Sequence, residues 1–406
     1  MNMRIMLVAD GRSPITRRYL KVLLDLGVQV TLVSSFPCAP VEGVEGMYTL
    51  PVAFGRFAGT QSGAGLDQPY KANQGARRAV ARFRKAFLSL RYWLGPLTLP
   101  FYSAHLRRIY REVQPDVVHA LRIPFEGMMA SGLPENATLL VSIWGNDLTL
   151  HAQGSIWMNL LTRRVLRRVN GLTADAYRDI RLARTMGFRS SFPSAVFPGA
   201  GGIDLQAFEH LKRAGSEPRS DPIPAGVPLV INPRGFRPGS VRNDVFFEAI
   251  PLVLQRYPKV AFICPAMAGQ PEAEETVRRL GIQRQVVLLP YLPQENLWEL
   301  FLRATVMVSI SQHDGTPNSL LEAMVAGCFP VAGDIESIRE WITPGVNGLL
   351  VQPNRADQAA DAILMALENA DLRLRAREAN RKIIEERAEV GKVKQQILSF
   401  YQQFME

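Results

Sequence analysis

Short apolar runs alternate along this chain with longer segments of helical period. The first run, Arg4 to Ala9, is apolar at successive positions, which fits a strand buried on both faces of a parallel sheet. A turn with Asp10, Gly11 and Pro14 follows, then a helical segment to about Leu26. Gly27 ends that segment, and Val28–Val33 is the next apolar run. Strand, turn, helix, strand is a βαβ opening, so a parallel sheet is expected. The pattern resumes at Asp116–Ala120 and Thr138–Trp144, read as strands, with helical segments near Phe125–Ser131 and Ser155–Arg168.

A stretch rich in Pro, Gly and Ser at residues 214–228 then reads as a linker. Beyond it the alternation restarts. Strands are expected at Leu229–Asn232, Val260–Cys264, Val286–Leu289 and Val306–Ile310. Helices are expected near Asp244–Tyr257, Glu272–Leu280, Gln294–Arg303 and Pro317–Ala326. Two βα arrays joined by a linker predict an α/β chain of two doubly wound, Rossmann-like domains facing a central cleft, with ligands at the carboxyl ends of the strands. The expected boundaries are 1–213 for the first domain, with a basic insertion at about 55–112, and 229–386 for the second. A terminal helix is expected at 387–406.

Length agrees, since 406 residues exceed one ordinary core. Net charge changes the picture more. Lys and Arg outnumber Asp and Glu by 47 to 37, a net +10, which favours anionic partners. Cys38, Cys264 and Cys328 lack metal-site or disulfide spacing and are expected as buried thiols in a reducing compartment. The opening residues lack a signal-peptide pattern, because Asp10 and Gly11 interrupt the apolar run. With no long apolar stretch, a cytoplasmic location is expected, with peripheral attachment to the inner face of a membrane as an option.

The densest chemistry lies between Asp314 and Gly327. Thr316 and Pro317 suit a helix N-cap and first turn, and Gly327 suits the C-terminal cap. A helix starting there, at a strand's carboxyl end, would aim the amides of Asn318, Ser319 and Leu320 at an anion such as a diphosphate. Asp314 before the helix and Glu322 one turn into it can accept hydrogen bonds from sugar and ribose hydroxyls.

The segment Asp314-Gly-Thr-Pro…Glu322-Ala-Met-Val-Ala-Gly327, with Pro330-Val-Ala332 and Gly345-Val-Asn-Gly-Leu-Leu-Val351, resembles the family-4 (group 1) retaining glycosyltransferases of the GT-B fold. That family carries Glu where Asp314 stands. The resemblance implies that Glu322 binds the donor ribose, that Asp314 contacts the donor sugar, and that basic residues after the first strand of the second domain hold the diphosphate. Arg234 and Arg242 occupy those places, with Arg237 as a rival for either. Tyr291, in Pro290-Tyr291-Leu292, lies where the base is expected. In the first domain Gln114-Pro-Asp-Val-Val-His119 and Ser142-Ile-Trp-Gly-Asn-Asp147 resemble family motifs. His119 or Asp147 could contact the donor sugar, because Trp144 stands where many members have His. Gly11 could admit the diphosphate to the backbone. The last helix, with Ile397 and Phe400 on one side, is expected to cross back onto the first domain.

The implied activity is hexosyl transfer with retention, without a metal or other cofactor, from a UDP- or GDP-type nucleotide sugar to a glycan or lipid-linked acceptor, as in polysaccharide or glycolipid synthesis. No Asp-x-Asp motif is present. From Lys71 to Arg111 there is no acidic residue, and Phe87, Leu90, Trp93 and Leu94 sit among arginines, so an anionic membrane surface is an expected partner. The rival readings are a sugar-nucleotide epimerase on the same fold and a non-catalytic module that binds membrane or nucleic acid by charge. No helix-turn-helix, RNP-type or zinc signature supports nucleic acid as a partner.

Overall fold

The computed structural model describes residues 3–57, 89–214, 226–237 and 239–405. They form two compact units. One contains residues 1–202 and 391–406, the other 203–390.

The first unit is built on seven parallel strands: β1 (Arg4–Ala9), β2 (Gln29–Ser34), β3 (Gly46–Thr49), β4 (Val117–Ala120), β5 (Leu139–Ile143), β6 (Gly171–Ala174) and β7 (Ser194–Val196). Their order is β3-β2-β1-β4-β5-β6-β7. The apolar runs are continuous because both faces of the sheet are covered. Met6 and Val8 of β1 join one core, and Ile5 and Leu7 join the other. The second core includes Val393, Ile397, Phe400 and Tyr401 of the terminal helix Val390–Gln402.

The second unit has six parallel strands: β8 (Leu229–Ile231), β9 (Ala261–Cys264), β10 (Val286–Leu288), β11 (Val306–Ser309), β12 (Phe329–Gly333) and β13 (Leu349–Val351), in the order β10-β9-β8-β11-β12-β13. Each sheet reverses its strand order once, between β1 and β4 and between β8 and β11. In open parallel sheets the loops that leave the carboxyl ends at such a reversal splay apart and make room for a ligand.

Several sequence expectations shift. The first domain ends at 202 rather than 213, because helix Leu205–Ala214 buries Phe208 against Trp298 of the second unit, ring centroids 5.0 Å apart. The expected helix near Phe125–Ser131 is a tight turn at Ile123–Gly127 followed by the short helix Met128–Ala130. Pro124 stays extended and Phe125 takes a φ of 68°, so the helical path starts only afterwards. Cys264 and Cys328 are buried, whereas Cys38 is only half-buried. Residues 58–88 of the basic insertion, Phe87 among them, and 215–225 of the expected linker lie outside the described residues. Strands β3, β6, β7, β12 and β13 escape the sequence pattern; β3, β7 and β13 are short sheet edges, whereas β6 and β12 are buried inside their sheets.

Candidate active site

In the second unit the strand reversal falls between β8 and β11. The loop after β8 carries Arg234, and the loop after β11 leads through Asp314 into helix Asn318–Ala326. Arg234 spans the two loops. Its Nη2 pairs with Asp314 Oδ2 and its Nη1 donates to Ser319 Oγ at 3.3 Å. The guanidinium is buried, with a side-chain exposure of 6%, and its Nε has no hydrogen-bond partner among the described residues. An Arg with a buried donor still to satisfy, at a helix N-terminus, suits an anion.

The loop around this cation is fixed from several sides. Asn232 Oδ1 accepts from the Arg234 amide at 3.2 Å, and Asn232 Nδ2 donates to Asn243, which in turn donates to the Gly235 carbonyl. Ser311 Oγ donates to Asp314 Oδ2 at 2.9 Å, and Ser337 Oγ donates to the Asp314 carbonyl at 2.7 Å. Gly333, ending β12, is required here: a Cβ would lie 2.2 Å from the Ser311 carbonyl oxygen.

Helix Asn318–Ala326 starts one residue later than the sequence suggests. Pro317 takes the cap position with extended ψ, and Thr316 is no cap because its Oγ1 accepts from Trp341 Nε1 at 2.8 Å. The Leu320 amide already bonds the Pro317 carbonyl, so the first-turn donors without an intrahelical acceptor are those of Asn318 and Ser319. Gly327 closes the other end at φ 87°, its amide and that of Cys328 returning to Met324 and Ala323. Glu322 is 3% exposed and accepts from Gln294 Nε2 at 2.9 Å. The two oxygens of a carboxylate can together accept several hydrogen bonds. Arg242 is held by Asp244 through its Nε and Nη2, a pairing that raises its pKa, while Arg237 lies exposed and Tyr291 half-buried.

In the first unit the sequence candidates are placed differently from expectation. His119 is fully buried, and both ring nitrogens are bonded inside the core, Nδ1 to Tyr401 Oη and Nε2 to Ser142 Oγ at 2.9 Å. Burial lowers its pKa to about 3, so the ring stays neutral. It is a packing residue and does not reach a ligand. Asp147 is also fully buried. Its Oδ1 accepts from Arg122 Nε and Nη2, and its Oδ2 accepts from the amides of Ile123 and Trp144. Burial raises its pKa while Arg122 pulls the other way. Its four accepted bonds make it the anchor of Arg122 rather than a sugar contact. Gly11 is needed for packing: a Cβ would lie 2.5 Å from Cys38 Sγ, and its amide bonds Ser34 Oγ.

Sequence reasoning missed Ser311, Gln294, Ser337 and Arg122. Only Arg122 carried a signal, since it follows β4 nearly as Arg234 follows β8.

Residues 239–383 match the family model described as Glycosyl transferases group 1, and residues 80–176 the one described as Glycosyl transferase 4-like. A D-inositol 3-phosphate glycosyltransferase of Corynebacterium urealyticum is 29% identical over 193 residues, which covers 45% of this chain and 44% of the relative. A GDP-mannose:cellobiosyl-diphosphopolyprenol alpha-mannosyltransferase of Xanthomonas campestris is 31% identical over 105 residues, 25% of this chain and 28% of the relative. The chain thus spans less than half the length of these curated relatives. Among solved structures, a sucrose-phosphate synthase of Thermosynechococcus elongatus aligns with a TM-score of 0.72 at 15% identity, covering 100% of this chain and 99% of the other. Anabaena Alr3699/HepE in complex with UDP and glucose aligns with a TM-score of 0.68 at 15% identity, covering 99% and 100%. At that identity the likeness is one of fold. With parallel sheets of the GT-B type in both units and family matches in each, the chain belongs to the group 1 glycosyltransferases.

Proposed function

We propose that the protein transfers a hexosyl group, with retention, from a UDP- or GDP-type nucleotide sugar to a glycan or lipid-linked acceptor in cell-surface polysaccharide or glycolipid synthesis. The observation that carries this reading is the buried Arg234, aimed across the β8/β11 reversal at the start of helix Asn318–Ala326 with a donor still unsatisfied. In this reading Arg234 and the amides of Asn318 and Ser319 hold the diphosphate, and Glu322 accepts from the ribose hydroxyls. Asp314, whose carboxylate orients Arg234, meets the donor sugar with its remaining acceptor capacity. Arg234 supplies the positive charge that the departing diphosphate needs, so the chemistry is assigned no metal and no cofactor beyond the co-substrate. The relatives named for GDP-mannose and for a diphosphopolyprenol acceptor, and the neighbour bound to UDP and glucose, support the substrate classes.

The test is a panel of UDP-, GDP- and ADP-sugars read by thermal unfolding. One of them stabilises the wild type, by about 2.7 kcal/mol at a hundredfold excess over Kd. Glu322→Ala loses most of that shift, and the coupling constant of the product's anomeric proton reads retention. A wild type that no nucleotide sugar stabilises would sink the reading.

A lipid-linked acceptor fits one further surface. Leu90, Trp93, Leu97 and Phe101 are exposed, Leu97 by 74%, close in sequence to the exposed Arg107, Arg108 and Arg111. Apolar side chains beside arginines suit an anionic interface. Vesicles with anionic lipid are expected to float the protein, less so after Trp93→Ala with Phe101→Ala. Equal flotation of the double variant would assign membrane binding elsewhere. No helix among the described residues is long and apolar enough to cross a membrane.

A further inference from the structure

The first unit has its own strand reversal, between β1 and β4, and three arginines gather there. Arg12 lies in the loop after β1, Arg122 in the loop after β4, and Arg91 in a helical turn that sets its guanidinium near the rings of both Phe36 and Phe125. Each guanidinium rests over an aromatic ring. Arg12 Cζ is 3.7 Å from the Phe36 centroid, Arg91 Cζ is 4.7 Å from that of Phe125, and Arg122 Cζ is 5.4 Å from that of Trp144. Phe125 reaches its place with a left-handed φ of 68°, a conformation that costs a bulky residue about 1 kcal/mol or more. Strain of this kind persists where the surrounding packing enforces it, and here it sets the ring beneath Arg91.

The carboxylates around the cluster do not use up the donors of Arg91 and Arg122. Asp10 takes Nε and Nη2 of Arg12. Asp147 and Asn146 engage Nε and Nη2 of Arg122, and no bond engages its Nη1 among the described residues. Glu126, whose charge acts on Arg91, is 5% exposed and receives the Ser35 hydroxyl. Burial pushes the Glu126 carboxyl up, toward its neutral form. The Arg91 Nε is buried without a hydrogen-bond partner among the described residues. Burial pushes the Arg91 guanidinium down; Glu126 opposes this, while Arg122 and Arg12 add to it. Three like charges within reach of one another, with a buried N–H still to satisfy, are an unfavourable arrangement that a bound anion relieves.

We infer that the β1/β4 reversal is a phosphate site, formed by Arg12, Arg91 and Arg122, that holds a phosphate ester of the acceptor. Guanidinium forks arriving from three separate elements match a tetrahedral oxyanion better than a planar carboxylate. Calling this ligand the acceptor rests on the transferase reading, which gives the donor diphosphate to Arg234. The phosphate site itself does not.

Inorganic phosphate, titrated calorimetrically into the full chain at constant ionic strength, tests it. The wild type shows a saturable site that Arg91→Gln and Arg12→Gln each weaken by about tenfold or more, while Arg234→Gln leaves that site in place. Arg12 pairs with Asp10 of its own loop, two residues away, so its variant reports even where Arg91→Gln fails to fold. Retained stabilisation by the donor nucleotide certifies the fold of both. No saturable phosphate binding, or binding lost only with Arg234→Gln, overturns the inference. A wild type that binds phosphate through Arg91 yet is stabilised by no nucleotide sugar keeps this site and overturns the transferase reading alone.

Discussion

Arg234→Ala is expected to lower kcat by about two to three orders of magnitude, with a smaller change in the donor's KM. Negative charge grows on the diphosphate as the glycosidic bond to it breaks, so a fixed cation contributes more in the transition state than in the bound donor. Burial strengthens the effect, because the side chain is only 6% exposed and water screens it little. Arg234→Lys keeps the charge but cannot engage Asp314 and Ser319 together, so it should recover only part of the loss. Steady-state rates with the nucleotide sugar that stabilises the wild type decide the matter. Wild-type kcat in Arg234→Ala would remove the residue from the reaction.

The second large effect is on stability against pH. His119 is neutral in the folded state with a pKa of about 3, whereas in the unfolded chain it returns to its ordinary value of 6.5. Below 6.5 the unfolded chain therefore binds a proton that the folded chain refuses. The stabilisation is complete above that pH and is lost as the pH falls toward 3, at up to about 1.4 kcal/mol per pH unit. His119→Gln keeps a hydrogen-bonding side chain between Ser142 and Tyr401 and removes the titration. Urea midpoints measured between neutral and acid pH should fall more steeply for the wild type than for this variant. Parallel slopes would show that protonation of His119 does not govern acid unfolding.

The unlike fates of Glu322 and His119 show what can be read from a chain alone. Asp314, Pro317, Glu322 and Gly327 lie within a few turns of backbone, so local rules place a cap, an anion site and two carboxylates together before any tertiary structure is known. Even there the cap moved from Thr316 to Pro317, because Trp341, far along the chain, claims the threonine hydroxyl. Strands were legible as longer apolar runs, as in β1 and β11, and even at the edge β10, whereas the edges β3, β7 and β13 were missed, and so were the buried β6 and β12, whose runs Gly171 and Pro330 interrupt. His119 was misplaced for a related reason. A polar residue ending a buried strand resembles a ligand contact until its partner is known, and that partner, Tyr401, is 282 residues away. Arg12, Arg91 and Arg122 come from three separate elements, so no spacing rule could have joined them.

The residues that complete the first unit's core come last in this sequence. Val393, Ile397, Phe400 and Tyr401 are at most 1% exposed, and Lys394 reaches Asp25 at 2.8 Å. During synthesis the opening 202 residues therefore emerge with an apolar face uncovered, and it stays so while the entire second unit is translated. The second unit is one continuous stretch and can close first. Until the ribosome reaches Tyr401, the first unit offers that sticky face to chaperones and to other nascent chains, so a stall or truncation after residue 390 is the event most apt to send this protein into aggregates.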